Sequence, residues 1–366
     1  MKIRAAGFAK RELLIEFGYP DSSGWHWFAF LHSDQNVHGA FACGFFLPNL
    51  GECGIINASN SETGDQTMSK LPKVVAVVGT NASGKSALGI DLAKKYDAEI
   101  ISADSRQVFA GLDLGSGKVT PEETQGVPHH MIDVRKPNEF FSMADFQKLS
   151  YQYIEEIRGR GKLPMIVGGT GLYVDSVLDG YLLSDKEPDL AYRAELEKLT
   201  TPELYEMLLS LKPDVEVEKN NRNRVMRIIE RIHDGDNATP GKEKRYDSLR
   251  LGVSWPREVV NQRIDERLER RLEQGMIEEV QKLMDEGATT EFLLGLGLEY
   301  RFITQYLLGE IPDKNVMLDK LAIAIKQFAK RQMTWFRRNP DIVWLDMSGD
   351  YFDQACSAVD QFLKEE

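Results

Sequence analysis

Cysteine is scarce in this chain, which has only Cys43, Cys53 and Cys356 in 366 residues. They are too few and too scattered for a disulfide framework or a four-ligand zinc site, and such usage points to a reducing, cytoplasmic setting. No apolar run approaches the roughly 20 residues that a membrane helix needs, and the N-terminus lacks the basic, apolar and small-residue succession of a secretory signal. No membrane partner is expected. Positive charge is also short: 45 Lys and Arg stand against 57 Asp and Glu, a formal net charge of −12. That balance argues against indiscriminate nucleic-acid binding, although a net figure hides how charge is distributed. No internal repeat is visible.

What is there, 42% apolar and 28% charged residues, suffices for a full core and more than one folding unit. Residues 1–70 mix aromatics with Gly, Ser and Asn without helical or alternating periodicity and end in the polar tract NASNSETGDQT. They are expected to form a poorly ordered extension, with Met68 opening MSKLPKVVAVVGT as a natural start of the domain. From there the pattern is regular. KVVAVVG (Lys73 to Gly79), EIISAD (Glu99 to Asp104) and LPMIVGG (Leu163 to Gly169) read as buried parallel strands, with RLGVSW (Arg250 to Trp255) and IVWLD (Ile342 to Asp346) as later ones. SALGIDLAKKY and FQKLSYQYIEEIRGRG have helical spacing, so strand and helix alternate and a doubly wound α/β sheet follows. Asp189 to Pro213 reads as a helical insertion, residues 181–219, between core segments 71–180 and 220–350. Long helices are expected from REVVNQRIDERLERRLEQGMIEEVQKLMDEG and from LDKLAIAIKQFAKRQMTWFRR.

GTNASGKS between a strand and a helix is the most specific short signal. In G-x-x-x-x-G-K-S, loop N–H groups converge on phosphate oxygens and the helix N-terminus adds positive potential. The residues are Gly79, Thr80, Asn81, Ala82, Ser83, Gly84, Lys85 and Ser86; Lys85 bridges two phosphates and the Ser86 hydroxyl is a ligand for Mg²⁺. The ligand is a di- or triphosphate. Asp104 ends an apolar strand, at the carboxyl edge of the sheet where open α/β folds place ligands. A carboxylate there can bind Mg²⁺, take a proton from a nucleophile, or cap the next helix. Adjacent His129 and His130 would point to opposite faces of a strand, so a structural role is expected for them rather than a metal pair.

Basic residues gather in three groups: Arg222, Arg224, Arg227 and Arg231; Arg263, Arg267, Arg270 and Arg271; and Lys326, Lys330, Arg331, Arg337 and Arg338. The second is interleaved with Glu and Asp, the pattern of a solvated helix face as readily as of a binding face.

GTNASGKS, ISADSRQVFAGLDLGSGK, GVPHHMIDV, VGGTGLY and KRQMTWFRR, in this order and spacing, resemble the tRNA dimethylallyltransferase (tRNA isopentenyltransferase) family from about Pro72 to Asp346. The resemblance implies a P-loop NTPase-like parallel sheet flanked by helices, with a helical insertion for tRNA binding. It implies transfer of a dimethylallyl group from dimethylallyl diphosphate to the exocyclic amine of an adenosine beside the anticodon of tRNA, with Mg²⁺ as cofactor. Asp104 matches the general base, Thr170 the hydroxyl at the bridging oxygen, and Arg257 an arginine near the diphosphate. Ser105, Arg106 and Gln107 match the segment touching the target nucleotide, and Arg224 and Arg227 the tRNA-contacting segment. The partners implied are the tRNA anticodon stem-loop and dimethylallyl diphosphate, with a monomer expected. A C-terminal Cys₂His₂ finger has no counterpart, so a bacterial type is implied. The chain departs from the family pattern at Asn221 and Arg222, where Asp-Pro is usual, at Glu299, where Gly is common, and at Ser116, where Thr is customary. Two other readings remain open on sequence: prenylation of free AMP, ADP or ATP, and a P-loop small-molecule kinase.

Overall fold

The computed structural model describes residues 71–183, 189–235 and 241–365, together with strand segments nearer the N-terminus. The chain divides into two compact units, Met1–Lys70 and Leu71–Glu366. In the first, β1 (Ala5–Phe8), β2 (Glu12–Phe17) and β3 (Trp27–His32) pair as an antiparallel sheet, and β4 (Gly44–Phe45) pairs with β5 (Gly54–Ile55). The rest of residues 1–70, and with it the expectation of a poorly ordered extension, lies outside the described residues.

In the second unit, six parallel strands form one sheet. These are β6 (Lys73–Val78), β7 (Ala98–Ala103), β8 (His129–His130), β9 (Leu163–Gly168), β10 (Asp247–Ser254) and β11 (Ile342–Asp346), in the order β11-β10-β6-β9-β7-β8. Burial on both faces explains the unbroken valine run of β6: Val75 and Val77 join one core cluster, Val74, Ala76 and Val78 the other. On the first face lie α1 (Lys85–Lys95) and the C-terminal α13 (Tyr351–Lys364). On the second lie α3 (Met143–Gly159) and α4 (Gly171–Leu178); α3 starts at a capping box of Ser142 with Asp145. A single turn, α2 (Pro121–Thr124), precedes β8.

The insertion comprises α5 (Leu190–Glu197), α6 (Thr201–Leu211) and α7 (Arg222–His233) around a core of its own, with Leu196, Leu204 and Leu208 packed on Val225, Met226 and Ile229. α7, expected with the catalytic core, thus packs with the insertion. The altered start of α7 keeps its cap: Asn221 Oδ1 accepts from Arg224 N–H at 3.2 Å. Arg222, at the position where the family pattern has proline, donates to the carbonyls of Leu199 (2.6 Å) and Glu197 (3.0 Å) and so ties α7 to the α5–α6 connection.

Past β10 the chain is helical: α8 (Arg257–Glu273), α9 (Met276–Asp285), α10 (Thr290–Leu296), α11 (Leu298–Leu307) and α12 (Lys314–Phe336). The first long helical stretch breaks in two at Gly275, which takes φ 96°, a left-handed conformation that ends one helix and starts the next. These helices share a third core cluster with Val108, Phe109 and Leu112 from the segment after β7. They therefore cover the carboxyl edge of the sheet on the side of Asp104. Cys356 is free and buried, and no helix among the described residues is long and apolar enough to cross a membrane.

Candidate active site

The crossover from β6 to β7 skips β9, so the carboxyl ends of β6, β9 and β7 lie side by side. Each end delivers one part of the site. β6 runs into the phosphate loop, where Ala82 (φ 59°) and Gly84 (φ 89°) take left-handed backbone before α1 begins at Lys85. The loop is held from outside through its carbonyls: Arg263 Nε donates to Ala82 O at 2.7 Å and Trp255 Nε1 to Ser83 O at 3.0 Å.

β7 delivers Asp104, and β9 delivers Thr170. The two tips approach closely because Gly168 has no Cβ, which would collide with the Ala103 carbonyl. Thr170 N–H donates to Ala103 O at 3.1 Å, and Thr170 Oγ1 accepts from Ser105 N–H at 3.2 Å, which leaves the hydroxyl proton free to donate elsewhere. Asp104 Oδ1 accepts from the N–H of Arg106 (2.9 Å) and Gln107 (3.4 Å). No helix follows directly, so Asp104 does not cap one; one carboxylate oxygen caps the turn at 105–108, and the other takes no part in it.

Asp104, Asn81, Ala82, Arg106, Arg267 and Arg271 line one cavity, so the loop and the acid face a common space. An adjoining cleft of about 430 Å³ is lined by Gly84, Lys85, Ser86, Arg263, Arg267 and Arg270. Of the two readings open for this group, the binding face holds for Arg263, Arg267 and Arg271, which at i, i+4, i+8 spacing share the inward stripe of α8, while Arg270 is exposed at the cleft. Gly117 makes room for them, since a Cβ there would strike the guanidinium groups of Arg267 and Arg271. Arg257 is not brought to either space; it is exposed in the first turn of α8.

Concentrated positive charge shapes the titration of the site. Burial, then repulsion by Arg267, lower Lys85 from 10.5 to about 8, against the pull of Asp104. Burial and Arg271 bring Arg267 down to about 10. Glu299, 6% exposed, lines the same cavity and raises both Arg267 and Arg271 by its charge, so the glutamate at a position where glycine is common serves as their counter-charge.

Gly115 and Ser116 line the same cavity, and a carboxylate outside the quoted motifs holds their segment in place. Glu279 of α9 accepts from the N–H groups of Asp113 (3.1 Å), Leu114 (2.6 Å) and Gly115 (3.0 Å) and from Tyr300 OH (3.0 Å). Tyr300 OH in turn accepts from Ser116 N–H at 3.1 Å, and burial beside Glu279 raises its pKa far above the phenol range. No sequence signal marked this nest beyond an acid on a helix.

Of the residues expected to touch the target nucleotide, Gln107 is occupied within the protein, accepting from Ser102 Oγ (3.0 Å) and donating to Gly117 O (3.1 Å). Arg106 donates through Nε to Leu296 O at 2.9 Å and lies over the Phe328 ring. Ser105 is half-buried beside Thr170. Arg224 and Arg227 lie on α7 in the insertion; Arg224 is exposed and Arg227 pairs with Glu230 at 3.1 Å. Neither lines the cavities. His130 bonds Glu99 at 2.7 Å and His129 bonds Val127 O at 2.8 Å, in line with structural roles. No cluster of His, Cys, Asp and Glu that would hold a metal occurs among the described residues.

The IPP transferase family pattern matches residues 107–339. A tRNA dimethylallyltransferase 2 of Shewanella sediminis is 44% identical over 296 residues, 78% of this chain and 97% of that protein. A tRNA dimethylallyltransferase of Exiguobacterium is 41% identical over 78% of this chain and 94% of its own. Among solved structures, a tRNA isopentenylpyrophosphate transferase from Bacillus halodurans superposes with TM-score 0.62 at 36% identity, covering 80% of this chain and 98% of its own. A eukaryotic dimethylallyltransferase shares the fold, with TM-score 0.68 at 24% identity over 80% of this chain and 79% of that one. The protein described here belongs to the IPP transferase family, the family of the tRNA dimethylallyltransferases.

Proposed function

We propose that this protein transfers the dimethylallyl group of dimethylallyl diphosphate to the exocyclic amine of the adenosine beside the anticodon of tRNA. One observation carries the reading: a phosphate loop and a half-free carboxylate line a single cavity together with Arg267 and Arg271. The diphosphate sits in the loop, with Lys85, Arg267 and Arg271 opposite its charge. The bond broken is the allylic C–O bond. As it lengthens, charge grows on the bridging oxygen, where the free proton of the Thr170 hydroxyl donates. The adenine amine is a poor nucleophile because its lone pair is delocalised into the ring, so its proton must leave as the C–N bond forms. Asp104 Oδ2, not used in the cap, takes that proton. Diphosphate leaves with the bonding electron pair, and charge and atoms balance.

Ser86 fits Mg²⁺. Its Oγ has no hydrogen-bond partner among the described residues and the residue lines the cleft; no group of three or more His, Cys, Asp or Glu gathers among the described residues, so diphosphate oxygens and water would complete the ion's shell. Bound there, Mg²⁺ supplies Lewis-acid stabilisation of the leaving group. The target base leaves its stack to enter the cavity, while Arg224 and Arg227 on the insertion hold phosphates of the anticodon stem-loop.

The test is incubation with dimethylallyl diphosphate and either unmodified tRNA or AMP, followed by mass spectrometry of the nucleosides. A prenylated adenosine in tRNA is expected. Prenylation of AMP alone, or ATP-dependent phosphoryl transfer without loss of diphosphate from the prenyl donor, overturns the reading.

A further inference from the structure

Gln332 belongs to the KRQMTWFRR motif but is given no task by the reading above. It is 7% exposed on α12, a helix that contributes no strand end to the site. The pairing of β6 with β9 ends at Val78 and Gly168. Beyond that point, one backbone group of the phosphate loop and one of the turn before Thr170 turn to a single side chain. Gln332 Oε1 accepts from Asn81 N–H at 2.9 Å, and Gln332 Nε2 donates to Gly169 O at 3.0 Å. A carboxamide offers donor and acceptor in one plane at one end of a single side chain, and both are used here. The fit is close: a Cβ on Gly169 would come to 2.7 Å from Gln332 Nε2 and 3.6 Å from Lys85 Cε. One turn along α12, Trp335 lies against Gly171 and donates to Asp175 at 2.8 Å, so the same helix also seats the start of α4.

We infer that Gln332 is a positioning residue for prenyl transfer, an amide clamp that sets the spacing between the phosphate loop and the Thr170 hydroxyl so that both address one diphosphate. The inference rests on the proposed placement of that diphosphate and adds the device that keeps its two sides in register. Gln332 touches neither substrate; it acts through Asn81 and through Gly169, the neighbour of Thr170. Displacement of a reacting group by about 1 Å costs about 100-fold in rate, which sets the effect to look for.

The experiment compares wild type, Gln332→Met and Gln332→Glu in single-turnover transfer from dimethylallyl diphosphate to tRNA, with tRNA affinity and melting temperature measured alongside. Gln332→Met keeps length and burial but has no strong donor or acceptor, and a fall of about 100-fold in rate is expected with tRNA affinity within about twofold. Gln332→Glu can still accept from Asn81, but ionised it cannot donate to Gly169. Protonation restores a donor, so this variant should recover rate relative to wild type as pH is lowered, a dependence that mere packing would not produce. Thr170→Val combined with Gln332→Met should cost little more than the larger single effect, because both act on one interaction. A wild-type rate in Gln332→Met, a flat relative pH profile for Gln332→Glu, or strict additivity with Thr170→Val overturns the clamp while the functional reading stands. Should Gln332→Met be unstable, the isosteric Gln332→Glu decides alone. Absence of transfer by the wild type overturns the functional reading itself.

Discussion

Replacing Lys85 by methionine tests whether the phosphate cradle is held together at a cost to stability. The ammonium group donates to Thr80 O at 3.3 Å and faces the repulsion of Arg267 and Arg271. Burial first and that repulsion second bring its pKa from 10.5 to about 8. One pH unit of separation between folded and unfolded chain is worth about 1.4 kcal/mol. Keeping Lys85 charged in the fold near neutrality therefore costs about 3 kcal/mol, and about 1 to 3 kcal/mol once the water of the cleft screens part of the charge. The pH dependence has a definite sign. Below about 8 both states are protonated and the full cost applies; between about 8 and 10.5 the folded chain has lost a proton that the unfolded chain keeps, so stability rises with pH; above 10.5 the cost is gone. Urea denaturation of wild type and Lys85→Met at a series of pH values reads this directly. The variant is expected to be the more stable by about 1 to 3 kcal/mol near neutrality, with the gap closing as the solution becomes alkaline. A wild type more stable than the variant at neutral pH, or two parallel curves, would refute the argument.

The same lysine predicts that a non-reacting analogue of dimethylallyl diphosphate binds more weakly as pH rises through about 8, and that Lys85→Met abolishes this dependence; isothermal titration at several pH values measures both. Asp104→Asn keeps the cap acceptor but loses the base, so the single-turnover rate should fall by about 10² to 10⁴, with tRNA affinity unchanged by filter binding. Arg224→Ala should weaken tRNA binding and reduce the slope of log affinity against log salt by about 1, without altering the rate at saturating tRNA. Glu279→Ala strands three backbone donors and should cost about 2 to 3 kcal/mol; hydrogen exchange should speed up at the amides of Asp113, Leu114 and Gly115 before it does elsewhere in the sheet.

Sequence reading located the centre of the sheet because β6, β7 and β9 are short apolar runs buried on both faces, a pattern few other segments imitate, whereas the edge strands β8, two half-buried histidines, and β11, buried only in part, carry it weakly or not at all. It located the loop, Asp104 and Thr170 for a related reason: all three sit at the carboxyl ends of recognisable strands, and open parallel sheets put chemistry there. What it missed comes from helices. α8 has Val260, Ile264 and Leu268 in the core, while Arg263, Arg267 and Arg271 lie one position earlier or three later on the neighbouring stripe. A stripe of arginines between acids looks the same in sequence whether it meets water or a cavity, because the difference lies in what the rest of the chain places opposite it. The glycine at 117 was the available hint, since small residues mark close approach, but it has no direction in sequence.

Arg257 and Gln332 show the two sides of that limit. A residue placed by a neighbouring strand end alone, like Arg257, can turn away from the site, because the first turn of a helix leaves several directions open. A residue that must satisfy two loop groups at once, like Gln332, has one direction, but its partners Asn81 and Gly169 lie 251 and 163 residues away along the chain. No local window contains both. The reach of sequence analysis in this fold thus ends where helices fold back over the sheet edge: strand tips mark the proposed reacting groups, and the side chains that bond the loops beyond them come from segments whose own patterns speak only of packing.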